Sequence, residues 1–98
     1  MAFGVNTRWD IQEAQRIMNE RRLKFLSDEK GITILQPGSV TIEQHVSIGS
    51  DTTIYPFTYI GGKTIIGKNC RIGPFVYLKD TEVRDDTAIC FEKRIGKP

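Results

Sequence analysis

From Ile42 onward an aliphatic residue returns at every sixth position: Ile42, Ile48, Ile54, Ile60, Ile66, Ile72 and Leu78. A period of six fits neither the 3.6-residue turn of an α-helix nor the two-residue alternation of a half-buried strand. A fixed repeat outranks local propensity, because each unit buries its apolar face only against its neighbours. The pattern predicts a mainly β fold, a parallel β-helix built from hexapeptide units.

A second slot supports the same reading. Four residues after each of the first six aliphatics stand Val46, Thr52, Thr58, Thr64, Cys70 and Val76, all small or β-branched. Directly after the aliphatics stand Glu43, Gly49, Tyr55, Gly61, Gly67, Gly73 and Lys79, a column rich in glycine. These columns describe a triangular prism in which each unit forms one face and one corner. Aliphatics eighteen residues apart then stack, Ile42 on Ile60 on Leu78, Ile48 on Ile66 and Ile54 on Ile72. The large and the small slot both point inward, since a narrow prism has no room for two large side chains. Glycine eases the chain at sharp bends. After Leu78 the spacing drops to five, at Val83, before Ile89 and Ile95 resume it. One corner is therefore shorter, and the prism has about three coils, near the minimum for a stable stack.

The chain ahead of the repeats reads differently. Residues 10–29 predict one amphipathic helix, with Asp10 as cap, Glu13 completing a capping arrangement and Gly31 closing the last turn. Ile11, Ala14, Met18 and Phe25 trace its apolar face, widened by Ile17, Leu23 and Leu26. The expected division is a tail and linker helix over 1–30 and a β-helix over 31–98, with Pro37-Gly38 as a turn at the entry.

Fourteen basic and twelve acidic residues leave a net charge of +2, with no basic block. Such a balance gives no electrostatic support to a nucleic-acid partner or an anionic membrane surface. No apolar run approaches the roughly 20 residues of a membrane span. The first residues do not read as a signal peptide, and Cys70 and Cys90 form no disulfide framework or zinc motif. A reduced, cytoplasmic setting is the expectation.

Several segments together carry a family resemblance. Gly31-Ile32-Thr33-Ile34, Pro37, Val46-Ser47-Ile48-Gly49, Thr53-Ile54-Tyr55-Pro56, Lys63-Thr64-Ile65-Ile66-Gly67, Cys70-Arg71-Ile72-Gly73-Pro74 and the short unit Leu78 to Val83 are similar in order and spacing to one family. That family is the bifunctional N-acetylglucosamine-1-phosphate uridyltransferase / glucosamine-1-phosphate acetyltransferase. Upstream, Gly4-Val5-Asn6-Thr7-Arg8 resembles the end of its uridyltransferase domain, and the helix resembles its connecting arm. The resemblance implies a left-handed parallel β-helix assembled as a trimer. It also implies that the nucleotide loop lies in a domain ahead of these residues, and that the acetyltransferase histidine and coenzyme A contacts lie in later coils. The expected role is an oligomeric assembly or interaction module without either active site, with no cofactor, and with sugar-nucleotide enzymes of cell-envelope synthesis as a partner class. The alternative is a minimal acyltransferase acting at clefts between subunits, with acetyl coenzyme A as donor.

His45 is the one histidine and a candidate base at an outward slot, but no carboxylate partner can be assigned to it. Asn6 matches a family metal-binding position whose aspartate partner would lie in the uridyltransferase domain, so Asn6 alone implies no metal. Cys70 falls on an inward slot, and Cys90 reads as a more accessible thiol. Asp80, Asp85 and Asp86 suit turns around the short unit better than a cation site. Outward slots place Tyr59 on Tyr77 and Phe57 on Phe75, an exposed aromatic ladder. Its expected cover is the N-terminal helix or a neighbouring subunit, with a base- or sugar-stacking surface as the alternative.

Overall fold

The structure, a computed structural model, describes residues 7–90 and the backbone of residues 95–96. Helix α1 (Arg8–Lys30) leads into β1 (Thr33–Ile34), a 3₁₀ turn (Pro37–Ser39) and β2 (Val40–Ile42). There follow β3 (Ser47–Ile48), β4 (Thr53–Ile54), β5 (Thr58–Gly61), β6 (Ile65–Ile66), β7 (Arg71–Ile72) and β8 (Val76–Lys79). The described chain ends in β9 (Glu82–Val83), β10 (Ala88–Ile89) and β11 (Ile95–Gly96). The strands form three parallel sheets, β1-β4-β7-β10, β2-β5-β8-β11 and β3-β6-β9. These are the three faces of a left-handed parallel β-helix of about three turns.

The hexad columns set the register. Ile42 pairs with Ile60 and Ile60 with Leu78, while Ile48 pairs with Ile66 and Ile54 with Ile72. All seven aliphatics are buried, as are Val46, Thr52, Thr58, Thr64, Cys70 and Val76. Threonine is tolerated inside because its hydroxyl finds backbone at the corners. Thr52 Oγ1 donates to the Gly67 carbonyl at 2.9 Å and accepts the Cys70 N–H at 3.1 Å. Thr64 Oγ1 donates to the Gly61 carbonyl at 2.7 Å. A buried hydroxyl without such a partner would cost about 1–3 kcal/mol.

Departures from six are absorbed at corners. Ile34 pairs with Ile54, twenty positions on, whereas Val40 pairs with Thr58, eighteen on. The 3₁₀ turn Pro37–Ser39 takes up the difference. In the last coil Ile66 pairs with Val83, seventeen on. There Asp80 adopts a left-handed φ of 51°, and the Thr81 N–H reaches Thr64 Oγ1 at 3.3 Å. Gly49 shows why a corner column is glycine. A Cβ on it would come within 2.6 Å of the Gly67 carbonyl carbon in the coil above.

The helix differs from expectation in two respects. It begins at Arg8 and is capped by Thr7, whose extended backbone lets its hydroxyl accept the Asp10 N–H at 3.1 Å. Asp10 lies instead in the first turn, where its charge suits the positive end of the helix dipole. Gly31 closes the other end as read, with φ 69°. The second difference is the face that packs. Leu23 and Leu26 are buried against the first coil, while Ile11, Met18 and Phe25 are 48%, 62% and 48% exposed. Ile17, expected to widen the packed face, is exposed as well.

Hydrogen bonding selects that face. The first coil has no strand beneath it, so Val40 and Ile42 turn polar backbone groups outward from the stack. Asn19 meets both: Nδ2 donates to the Val40 carbonyl at 2.8 Å and Oδ1 accepts the Ile42 N–H at 3.1 Å. Its carboxamide stands where a peptide group of a lower coil would be. Arg22 donates to the carbonyls of Glu43 at 2.9 Å and Val46 at 2.6 Å. Replacing Asn19 with Leu, close in size but unable to bond, is expected to cost about 1–3 kcal/mol in chemical denaturation. The exposed Arg16→Ala on the same helix should stay within about 0.5 kcal/mol of the parent.

Candidate functional site

The sheet β2-β5-β8-β11 carries the most distinctive surface of the described residues. Alternation along each strand turns Thr41, Tyr59 and Tyr77 outward, and the register stacks them. The tyrosine rings lie 5.3 Å apart, tilted by 9°. At the preceding corner Phe57 and Phe75 stack at 5.2 Å and 9°. Below Phe57 sits Ser39, whose Oγ accepts the Phe57 N–H at 3.1 Å and donates to the Gln36 carbonyl at 2.9 Å. A shallow cleft lined by Ser39, Thr41 and the four rings runs between the two columns.

Two features mark this face. Phe57 is 56% exposed and Phe75 57%. Both also hold a left-handed φ of 60°, a conformation costing a bulky L-residue roughly 1–2 kcal/mol. The other left-handed non-glycine positions are Gln36, Asp51, Asn69, Asp80 and Asp86, and all but Gln36 are residue types that tolerate it better. The N-terminal helix does not cover the ladder. The edge groups of the first coil hold α1 at the end of the prism instead. Within each column the two rings stack one face on the other.

A carboxylate borders the ladder. Glu43 occupies the slot after Ile42, directly below Gly61, and a Cβ on Gly61 would come within 2.8 Å of its carboxyl carbon. The missing side chain lets Glu43 reach Tyr59, whose hydroxyl donates to one carboxylate oxygen. The Gly62 N–H donates to the other at 3.0 Å. The Tyr59 bond, then the Gly62 N–H, hold the Glu43 carboxyl below its ordinary pKa, against partial burial. The same bond, with burial and the Glu43 charge, pushes Tyr59 up to about 12. Sequence reading passed over this pair, although their columns, two slots apart in adjacent coils, were a usable signal.

The residues weighed for chemistry do not converge. His45 is exposed, with no carboxylate paired to it among the described residues. Cys70 is buried, its Sγ 3.1 Å from the Arg84 carbonyl, and Cys90 is exposed. Asp80 and Asp85 each accept a backbone N–H from the coil below, from Lys63 and Lys68, both at 2.8 Å. Asp86 accepts the Asn69 side-chain amide at 2.8 Å. Among the described residues no group of three His, Cys, Asp or Glu could hold a metal ion. Asn6 lies outside the described residues.

Comparison with known proteins agrees with this architecture. Residues 45–80 match the family described as bacterial transferase hexapeptide (six repeats). Over 96% of its length the chain is 40% identical to the bifunctional protein GlmU of Carboxydothermus hydrogenoformans, covering 22% of that protein. The GlmU of Thermotoga maritima is 40% identical over 94% of the chain and 21% of its own length. That of a Geobacillus species is 44% identical over 89% and 19%. The chain is a hexapeptide-repeat relative of the GlmU proteins. It spans about a fifth of the length of these curated relatives. No helix among the described residues is long and apolar enough to cross a membrane.

In this GlmU-related chain the Glu43–Tyr59 bond gives stability a defined pH window. Tyr59 has a raised pKa, so its contribution is complete below the ordinary tyrosine value near 10 and is lost as pH rises through about 12. Glu43 has a lowered pKa, so its contribution is present above the ordinary carboxylate range and is lost as pH falls through the lowered value. Ultraviolet titration of the three tyrosines should find one ionising near 12. Glu43→Gln should return it toward about 10.

Proposed function

We propose that this stretch of chain is a homo-oligomeric assembly module, a trimer, whose subunits meet through the aromatic ladder. The observation that carries the reading is the exposed pair Phe57 and Phe75, held in a left-handed conformation at the corner that borders this sheet face. Apolar rings on a strained corner have a physical reason to persist when a neighbouring subunit covers them. The short stack adds to this, because about three coils sit near the minimum for a stable solenoid. Three prisms with parallel axes can bring three ladders together without leaving an open edge along the interface. The likeness to the bifunctional GlmU proteins supports an oligomer, and sugar-nucleotide enzymes of cell-envelope synthesis are the partner class we propose with it. This reading assigns no catalytic residue.

Light scattering measures the native mass directly. The parent chain is expected at three times the protomer mass, and Phe57→Ser with Phe75→Ser at one, with the far-ultraviolet spectrum unchanged. A monomeric parent, or a double variant of unaltered mass, overturns the reading. Calorimetric titration with acetyl coenzyme A tests the competing acyltransferase role: saturable binding at one site per protomer would give that role the lead.

A further inference from the structure

Helix α1 carries a second apolar stripe that the other described residues leave exposed. Ile11, Ala14, Met18 and Phe25 follow at spacings of three, four and seven, which places them along one side of a helix. Ile11, Met18 and Phe25 are 48%, 62% and 48% exposed, whereas Leu23 and Leu26, on another side, are buried on the first coil. The stripe is separate from the aromatic ladder. It cannot turn inward, because Asn19 and Arg22 hold the helix by the backbone groups of that coil.

The order of residues on this stripe says what fits it. Ile11 and Phe25 each stand seven residues from Met18, so the apolar pattern reads alike in both directions. The flanking charges do not: Arg8 and Asp10 lie near one end, Lys24 and Glu29 near the other. A parallel in-register copy would set Arg21 against Arg21 and Asp28 against Asp28 across the seam. Like charges at such range are destabilising. Reversing the copy brings Arg8 toward the partner's Glu29, Asp10 toward the partner's Lys24, and Ile11 onto the partner's Phe25. Ala14, the one small residue of the stripe, then leaves room for the stem of the partner's Arg21.

We propose that a second copy of this chain covers the stripe, the two α1 helices packing antiparallel about a two-fold axis at Met18. The contact is isologous and therefore closes on itself. A 23-residue helix is about 34 Å long, and one such pair buries less than the roughly 1,200–2,000 Å² of a standard stable interface. Association through α1 is accordingly weak and concentration-dependent, and it joins two assemblies end to end rather than building either one.

Disulfide mapping on the full chain decides the matter, with Cys90→Ser removing the exposed thiol and Cys70 buried. Ile11→Cys and Phe25→Cys proteins are oxidised separately and as a mixture, beside a Glu20→Cys control on another side of the helix. The expected result is a cross-linked product in the mixture, joining residue 11 to residue 25, with each protein alone no higher than the control. Products joining 11 to 11 or 25 to 25 overturn the antiparallel arrangement. No product above the control overturns the contact itself. Met18→Glu, which sets two carboxylates at the axis, should halve the mass measured at high concentration. The Phe57→Ser, Phe75→Ser background separates the two interfaces: loss of the ladder contact leaves the 11-to-25 product in place.

Discussion

Coil-to-coil hydrogen bonding is the constraint on which the rest of this molecule depends. Each strand is two to four residues long and has no standing of its own; its backbone groups are satisfied by the coil above and the coil below. The interior is so narrow that one large and one small side chain fill each unit. Ile60, Ile72 and Leu78 are fully enclosed, and the threonines among them return their hydroxyls to corner carbonyls. A solenoid built this way has few degrees of freedom except at its corners and its ends.

The ends and corners are accordingly where this chain differs from a plain repeat. At the first coil, a helix offers a side-chain amide in place of a peptide group, and Asn19 fixes both the position of α1 and the side it presents to solvent. At one corner a pair of phenylalanines accepts a left-handed backbone that aspartate, asparagine or glycine would hold more easily. Two apolar surfaces result, one on a sheet face and one on a helix, and neither is covered by the other described residues. Both features direct attention to association rather than to a catalytic pocket.

The polar groups fit the same picture. Asp80 and Asp85 tie one coil to the next through backbone amides, so their carboxylates serve the corners. The Glu43–Tyr59 bond fastens the first and second coils at the border of the ladder. Its perturbed ionisation comes from a hydrogen bond within a structural joint, and a shifted pKa alone is no mark of catalysis.

Much of the fold was legible because a six-residue period is local information repeated. The inward columns, the stack of Ile42 on Ile60 on Leu78, the shortened unit before Val83 and the pairing of Tyr59 with Tyr77 and Phe57 with Phe75 all follow from counting along the chain. The helix itself was legible from its periodicity and from Gly31. Its orientation was not. Ile11, Ala14, Met18 and Phe25 form the more regular apolar stripe, yet Leu23 and Leu26 are the residues that pack. The sequence alone determined which residues share a column, since that depends only on the repeat. Tertiary structure decided which side of α1 faces the coil, that Thr7 rather than Asp10 caps it, and that α1 does not cover the ladder. The helix side and the bare ladder turn on the unpaired backbone groups of Val40 and Ile42, whose demand for hydrogen bonds arises only once the first coil has closed.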